Sequence, residues 1–188
     1  MSRYDVIIIG AGPGGIFAAY ELAKKAPELK VAVFEAGNSL EKRKCPIDGK
    51  KIKSCINCKT CAIMSGFGGA GAFSDGKYNI TNDFGGTLYE YIGKDTAIDL
   101  MKYVDEINLA YGGEGTKMYS TAGTDIKKLC IQNELKLLDA SVRHLGTDIN
   151  YIVLENLYKE LKEKVEFRFN YRVDELEAVD GGYRVISG

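Results

Sequence analysis

An α/β fold with a parallel sheet is predicted by three observations. An apolar run, Asp5-Val6-Ile7-Ile8-Ile9, leads straight into the cluster Gly10-Ala11-Gly12-Pro13-Gly14-Gly15. That cluster opens a helical pattern with an apolar stripe at Ile16, Ala19, Tyr20 and Ala23. A second apolar run, Val31-Ala32-Val33-Phe34, ends in the acid Glu35. Strand, glycine turn, helix, strand and terminal acid together form the dinucleotide-binding fingerprint in its full context.

Each part of this unit has a physical task. Gly10 allows the tight turn off the first strand, and Gly12 lets the backbone approach a pyrophosphate. Gly15 lets the helix pack closely on the sheet, and the helix aims free N–H groups and its positive dipole end at the diphosphate. Pro27 ends the helix. Glu35 is expected to accept hydrogen bonds from ribose hydroxyls, and its charge disfavours the 2′-phosphate of NADP at this site. Pro13, Gly14 and Ala36 complete the expected cofactor-binding set of this unit. The fingerprint's position at the N-terminus and its Gly-x-Gly-Pro-x-Gly form favour FAD over NAD.

The chain of 188 residues holds one well-packed domain and part of a second. With 25 basic and 26 acidic residues the net charge is −1, so no basic field attracts nucleic acid or acidic membranes. The glycine–proline cluster and the second strand argue against a signal peptide, and no apolar run is long enough to span a bilayer. A cytoplasmic location is therefore expected. Five cysteines in such a chain point to metal or redox chemistry rather than structural disulfides.

After Glu35 the chain is polar and rich in Lys, Gly and Cys up to residue 62; its Lys-rich run at 42–53 reads as a solvated face. The small-residue loop Ser65–Lys77 follows. Helices are predicted at 86–92, at 96–111 behind an Asp95/Thr96 cap, after Thr124, and at 148–164. Strands are predicted at 137–142 and 165–171, with a hairpin formed by 173–179 and 183–187. The expected layout is a three-layer, Rossmann-like FAD/NAD(P)-binding fold that ends at the start of a β-meander. Residues 1–80 form its first part, 81–147 a helical insertion, and 148–188 the return to it. A sheet that stops at such a hairpin lacks strands, so the chain reads as the N-terminal part of a longer flavoprotein.

Three stretches resemble the NAD(FAD)-utilizing dehydrogenases of the glutathione-reductase-like flavoproteins. They are Asp5–Gly15 with Glu35; Cys45 with Cys55–Lys77, notably Gly68-Gly-Ala-Gly-Ala-Phe-Ser-Asp-Gly-Lys; and Arg143-His-Leu-Gly-Thr-Asp148. The resemblance implies FAD held through Gly10, Gly12, Gly15 and Glu35, with the flavin ring near Ser65–Lys77. Gly69, Ala70, Ser74, Asp75, Gly76 and Lys77 are the contacts expected from that loop. Lys77 is a candidate for stabilising the charge of reduced flavin, with Asp75 capping the turn. His144, the one histidine, is a candidate acid or base, and Arg143 reads as an anion binder or a surface residue.

Cys45, Cys55, Cys58 and Cys61 have the spacing C-x9-C-x2-C-x2-C, which leaves three chemistries open. They suit an iron–sulfur cluster, a structural zinc, or redox thiols at Cys58/Cys61 or Cys55/Cys58 that exchange electrons with a flavin. Cys130, on an apolar helix face, reads as a buried thiol. The functional expectation is a FAD-dependent oxidoreductase that moves a hydride to or from flavin, with a small-molecule substrate and NAD(P)H as a candidate donor. A thiol–disulfide flavoreductase and a non-catalytic dinucleotide-binding module are the alternatives, and the oligomeric state is left open.

Overall fold

The computed structural model describes residues 2–187. In chain order the first elements are β1 (Val6–Ile9), α1 (Pro13–Lys25), β2 (Val31–Phe34), β3 (Lys77–Ile80), α2 (Leu88–Ile92) and α3 (Lys94–Asn108). They are followed by β4 (Met118–Ser120), α4 (Ile126–Gln132), β5 (Ser141–His144), α5 (Gly146–Leu161), β6 (Glu166–Arg168), β7 (Glu175–Val179) and β8 (Gly182–Ile186). Short 3-10 turns cover Leu40–Lys42 and Gly69–Phe73. The chain divides into two compact units, 1–73 with 154–188, and 74–153.

The first unit is the α/β part. Its parallel sheet has the order β1-β2-β6, with Val6 opposite Val31 and Ala32 opposite Glu166. All four residues of β2 are buried, as expected of an unbroken apolar strand covered on both faces. Ile16, Ala19 and Ala23 are the buried residues of α1, and its last turn carries Lys24 and Lys25, which suits the negative end of the helix dipole. Leu157 and Leu161, one turn apart, are each 1% exposed. Phe67, fully buried, meets Tyr158 at 5.0 Å and Phe167 at 5.7 Å between ring centroids. This cluster ties residues far apart in sequence into one core. The hairpin β7–β8 pairs Glu175 with Ile186, as predicted.

β6 is shorter than its apolar alternation suggests. Beyond Arg168 the chain hooks through Asn170, at φ 55°, and donates from Asn170 and Tyr171 to the carbonyls of Gly37 and Glu35. Polar bonds to the loop after β2 replace sheet pairing there. On this edge Glu166 accepts from Tyr4 at 2.7 Å and from Arg168 at 2.8 Å. The Tyr4 hydrogen bond, with Arg168, holds the Glu166 carboxyl below its usual range. A depressed carboxylate contributes stability above its unfolded pKa and loses it as pH falls through the folded value. Glu166→Gln should therefore cost below about 1 kcal/mol at pH 7. Urea titrations at neutral pH and at about pH 3 would check it, because the difference from the parent should vanish in acid.

The second unit, 74–153, contains helices as expected and also an antiparallel sheet of order β3-β5-β4 that the sequence pattern did not reveal. Its strands are three or four residues long, too short for an alternation to register. β5 lies four residues later than the apolar run suggests, because pairing Ile80 and Ser120 with Ser141 sets the register. α3 begins at Lys94 behind Gly93, at φ 83°, so Asp95 sits in the first turn and does not cap. α3 stops at Asn108 and runs into a π-turn, Leu109–Gly113, where Gly112 takes φ 132°. α4 has no buried residue, and Cys130 upon it is half-exposed, not buried as the sequence suggested. Among the described residues no helix is long and apolar enough to cross a membrane.

Candidate functional site

The glycine loop joins the ends of the two central strands. Gly10 takes φ +97° and donates its N–H to Phe34 O at 2.7 Å, so the turn is bonded to the tip of β2. A Cβ on Gly15 would stand 2.0 Å from Gly10 O, a distance no side chain tolerates. The close helix–strand approach read from sequence is therefore real. By contrast, a Cβ on Gly12 or Gly14 would meet nothing within 4 Å. Those two glycines face open space. No side chain caps α1 and no acid lies in its first turn, while Pro13 occupies the position where a missing N–H costs nothing. The free amides of the first turn are thus left for an external acceptor.

Glu35 is 6% exposed and turned inward. Its Oε2 accepts from Ala11 N at 2.7 Å; its Oε1 accepts from Gly37 N at 2.7 Å and Gly66 N at 2.8 Å. Two carboxylate oxygens offer about four lone-pair sites, so three amides leave room for about one more donor. Ala36, beside it, is half-buried.

Arg43, missed in the sequence, is the second organiser. It is 5% exposed, and its Nε donates to Ala62 O at 2.9 Å and its Nη2 to Ile63 O at 2.6 Å. Its Nη1 donates to Phe67 O at 2.7 Å and Gly69 O at 2.8 Å, and Phe73 lies under the guanidinium at 4.8 Å. Burial pushes its pKa down, opposed by the nearby charges of Glu35 and Cys61. The small-residue loop is thereby pressed on the glycine loop. Gly68 N donates to Ala11 O at 2.8 Å, and a Cβ on Gly69 would come within 3.1 Å of the Gly12 Cα. Of the contacts expected here, Gly69 lies beside Gly12, and Ala70 is exposed in the 3-10 turn.

The second unit brings Ser74–Lys77 together with His144–Thr147, two segments that are distant in sequence. Lys77 stands opposite His144 in the β3–β5 register, Leu145 N donates to Gly76 O at 2.8 Å, and Thr147 Oγ1 donates to Ser74 O at 3.0 Å. Gly76, at φ +65°, has no room for a side chain, since a Cβ would stand 2.6 Å from Gly146 O. Lys77 pairs with Asp75 at 2.8 Å. The Lys77 hydrogen bond and charge, with His144, hold the Asp75 carboxyl low. Asp75, Lys77 and His144 are all exposed. Arg143 is neither a surface residue nor an anion binder: it is 8% exposed and forks onto Asp105 at 2.6 and 2.8 Å, with Thr116 O at 2.6 Å.

The cysteines are not gathered. Cys55 and Cys58 are exposed, Cys45 and Cys61 are half-buried, and among the described residues no group of three or more His, Cys, Asp or Glu side chains is arranged to hold a metal ion. Sequence reasoning missed Arg43 because it sits in a Lys-rich run whose bulk is solvated. It missed the pairing of Asp105 with Arg143 because no pattern links positions on a helix and a distant strand.

Residues 1–41 match the model of the Thi4 family. Over 33 residues the chain is 64% identical to the thiamine thiazole synthase of Yarrowia lipolytica, a stretch that covers 18% of this chain and 10% of that enzyme. An uncharacterized protein of Clostridium beijerinckii is 31% identical over 147 residues, 77% of this chain and 24% of the relative. The chain thus spans about a quarter of the length of that relative and a tenth of the synthase. The glycine oxidase of Geobacillus kaustophilus superposes with a TM-score of 0.50 at 16% identity, covering 98% of this chain and 51% of the oxidase. The fold is accordingly α/β and Rossmann-like, with a parallel sheet as predicted.

Proposed function

We propose that this chain is the FAD-binding portion of a flavin-dependent oxidoreductase acting on a small molecule. The observation that carries the reading is the glycine loop: Gly10 and Gly15 are sterically obligatory, while Gly12 and Gly14 face open space beside an uncapped helix. That cradle suits a diphosphate approached by backbone. FAD over another dinucleotide is supported by the Gly-x-Gly-Pro-x-Gly form of the glycine loop and by the resemblance to NAD(FAD)-utilizing dehydrogenases. In this reading 1–80 and 148–188 form the cofactor-binding part and 81–147 an insertion.

FAD supplies two-electron transfer at its ring when bound. The chain's own residues do the rest. Amides at Gly12 and Gly14 would receive the diphosphate, and Glu35 has capacity for about one ribose hydroxyl beside its three amides. His144 and Lys77 are the candidates for moving a proton and for balancing charge, supported by their pairing across one ladder. The cysteines enter as thiols rather than ligands, because the fold leaves Cys55 and Cys58 exposed and ungathered. NAD(P)H as electron donor remains part of the proposal.

The test is Gly12→Val. Flavin fluorescence titration should show saturable FAD binding by the parent and a loss of at least about 100-fold in the variant, since the branched side chain fills the diphosphate approach. Equal affinity in the two proteins would reject the site, and a parent that binds no FAD would reject the cofactor.

A further inference from the structure

No residue of α4 is buried, yet the helix and the chain just after it are rich in large apolar side chains. Ile126, Leu129 and Ile131 on the helix, with Leu135 and Leu138 beyond it, are each between 45% and 67% exposed. The helix ends in a turn where Glu134 takes φ 58°, a left-handed conformation that glycine usually fills. There Glu134 N donates to Ile131 O at 3.2 Å and Leu135 N donates to Cys130 O at 2.8 Å. The chain is thus folded back so that Leu135 lies beside the last turn of α4 without being covered by it. Ile131, Leu135, Leu137 and Leu138 line a groove of about 510 Å³. The five exposed side chains offer about 500 Å² of accessible surface, a patch of the size that marks an interaction site.

The charges around this face point to what covers it. Lys127 is paired with Asp139, but among the described residues Asp125, Lys128, Glu134 and Lys136 form no ion pair. They are two acids and two bases, so the rim is neutral and gives an anionic surface such as a membrane no net attraction. Their order along the chain is self-complementary. Lys128 and Glu134 stand three residues before and after Ile131, while Asp125 stands five before Cys130 and Lys136 five after Ile131. A second copy laid antiparallel across this point sets each acid opposite a base, and Ile126 opposite Leu135. A two-fold axis makes every such contact twice.

We propose that this face is a self-association surface, on which α4 and residues 133–138 pack antiparallel against the same segment of a second copy. The two-fold axis passes at Cys130–Ile131. Ile131 and Leu135 of each copy meet the groove of the other and leave water. The Lys128–Glu134 and Asp125–Lys136 pairs close the rim and fix the register. With that rim each copy covers roughly 600–800 Å², the low end for a specific interface, so association is reversible rather than permanent. The proposal does not depend on the cofactor reading.

Sedimentation velocity on the full chain, with reductant present to exclude cystine links, tests it between about 1 and about 200 µM. A monomer–dimer equilibrium is expected, and Ile131→Asp and Leu135→Asp should each leave a monomer over that range. Both side chains are exposed, so these variants should keep the parent's urea midpoint at the lowest concentration, where the parent too is monomeric. Lys128→Glu and Glu134→Lys should each weaken association at least about tenfold, by setting like charges opposite one another twice. An equimolar mixture of those two variants should recover it, because the pairs then form between unlike copies. A parent that stays monomeric at the highest concentration would overturn the proposal. So would a dimer that survives Ile131→Asp and Leu135→Asp, or a mixture no more associated than its two components. Co-sedimentation of the monomeric parent with phosphatidylserine vesicles, lost in Ile131→Asp, would overturn it in favour of a lipid surface.

Discussion

Arg43→Met should lower stability by about 3–5 kcal/mol, because four carbonyls lose a charged donor and only some can be rehydrated. The loss is larger than the burial of one side chain, since the same guanidinium also offsets the charge of the buried Glu35. Methionine restores the apolar stem and none of the donors. Arg43→Lys should recover less than half, because an ammonium places its donors around a point and cannot fork toward carbonyls on both sides. Urea unfolding of the three proteins measures this. A lysine variant as stable as the parent would show that charge alone suffices, and the account of Arg43 as a geometric clamp would fail.

Asp105→Ala should cost a similar amount, about 3–5 kcal/mol, by leaving Arg143 buried without its counter-charge. The pair spans α3 and β5, and Arg143 also holds the carbonyl of Thr116, just before β4. Breaking it should therefore loosen the small antiparallel sheet, with hydrogen exchange rising first at Val142 and Tyr119. The double variant Asp105→Leu/Arg143→Met should regain most of the loss, since an apolar pair removes both desolvation penalties. If the double variant is as unstable as the single one, the pair serves mainly as a conformational pin. An unchanged midpoint in Asp105→Ala would mean that the guanidinium reaches water.

The two halves of this chain were unequally legible. From Val6 to Phe34 every element was readable, because a parallel strand buried on both faces must be apolar throughout and a close turn onto a helix must be glycine. Those are local steric rules, and Gly10 and Gly15 obey them in the folded chain as in the string of letters. The helix predicted at 148–164, found as α5 (Gly146–Leu161), and the hairpin β7–β8 were readable for the same reason, since period and turn chemistry are carried by neighbouring residues.

What came from the folded chain alone is the matching of charges and carbonyls over long separations. Glu35 was read as a ribose acceptor, yet its oxygens are met by the amides of Ala11, Gly37 and Gly66. Arg43 was hidden among lysines, Arg143 was read as a surface or anion-binding group, and the strands β3 and β4 left no periodic trace. The physical reason is common to all of these. Apolar patterning records which side faces the core, whereas a buried ion or a three-residue strand is specified by the partner it finds, and that partner lies dozens of residues away.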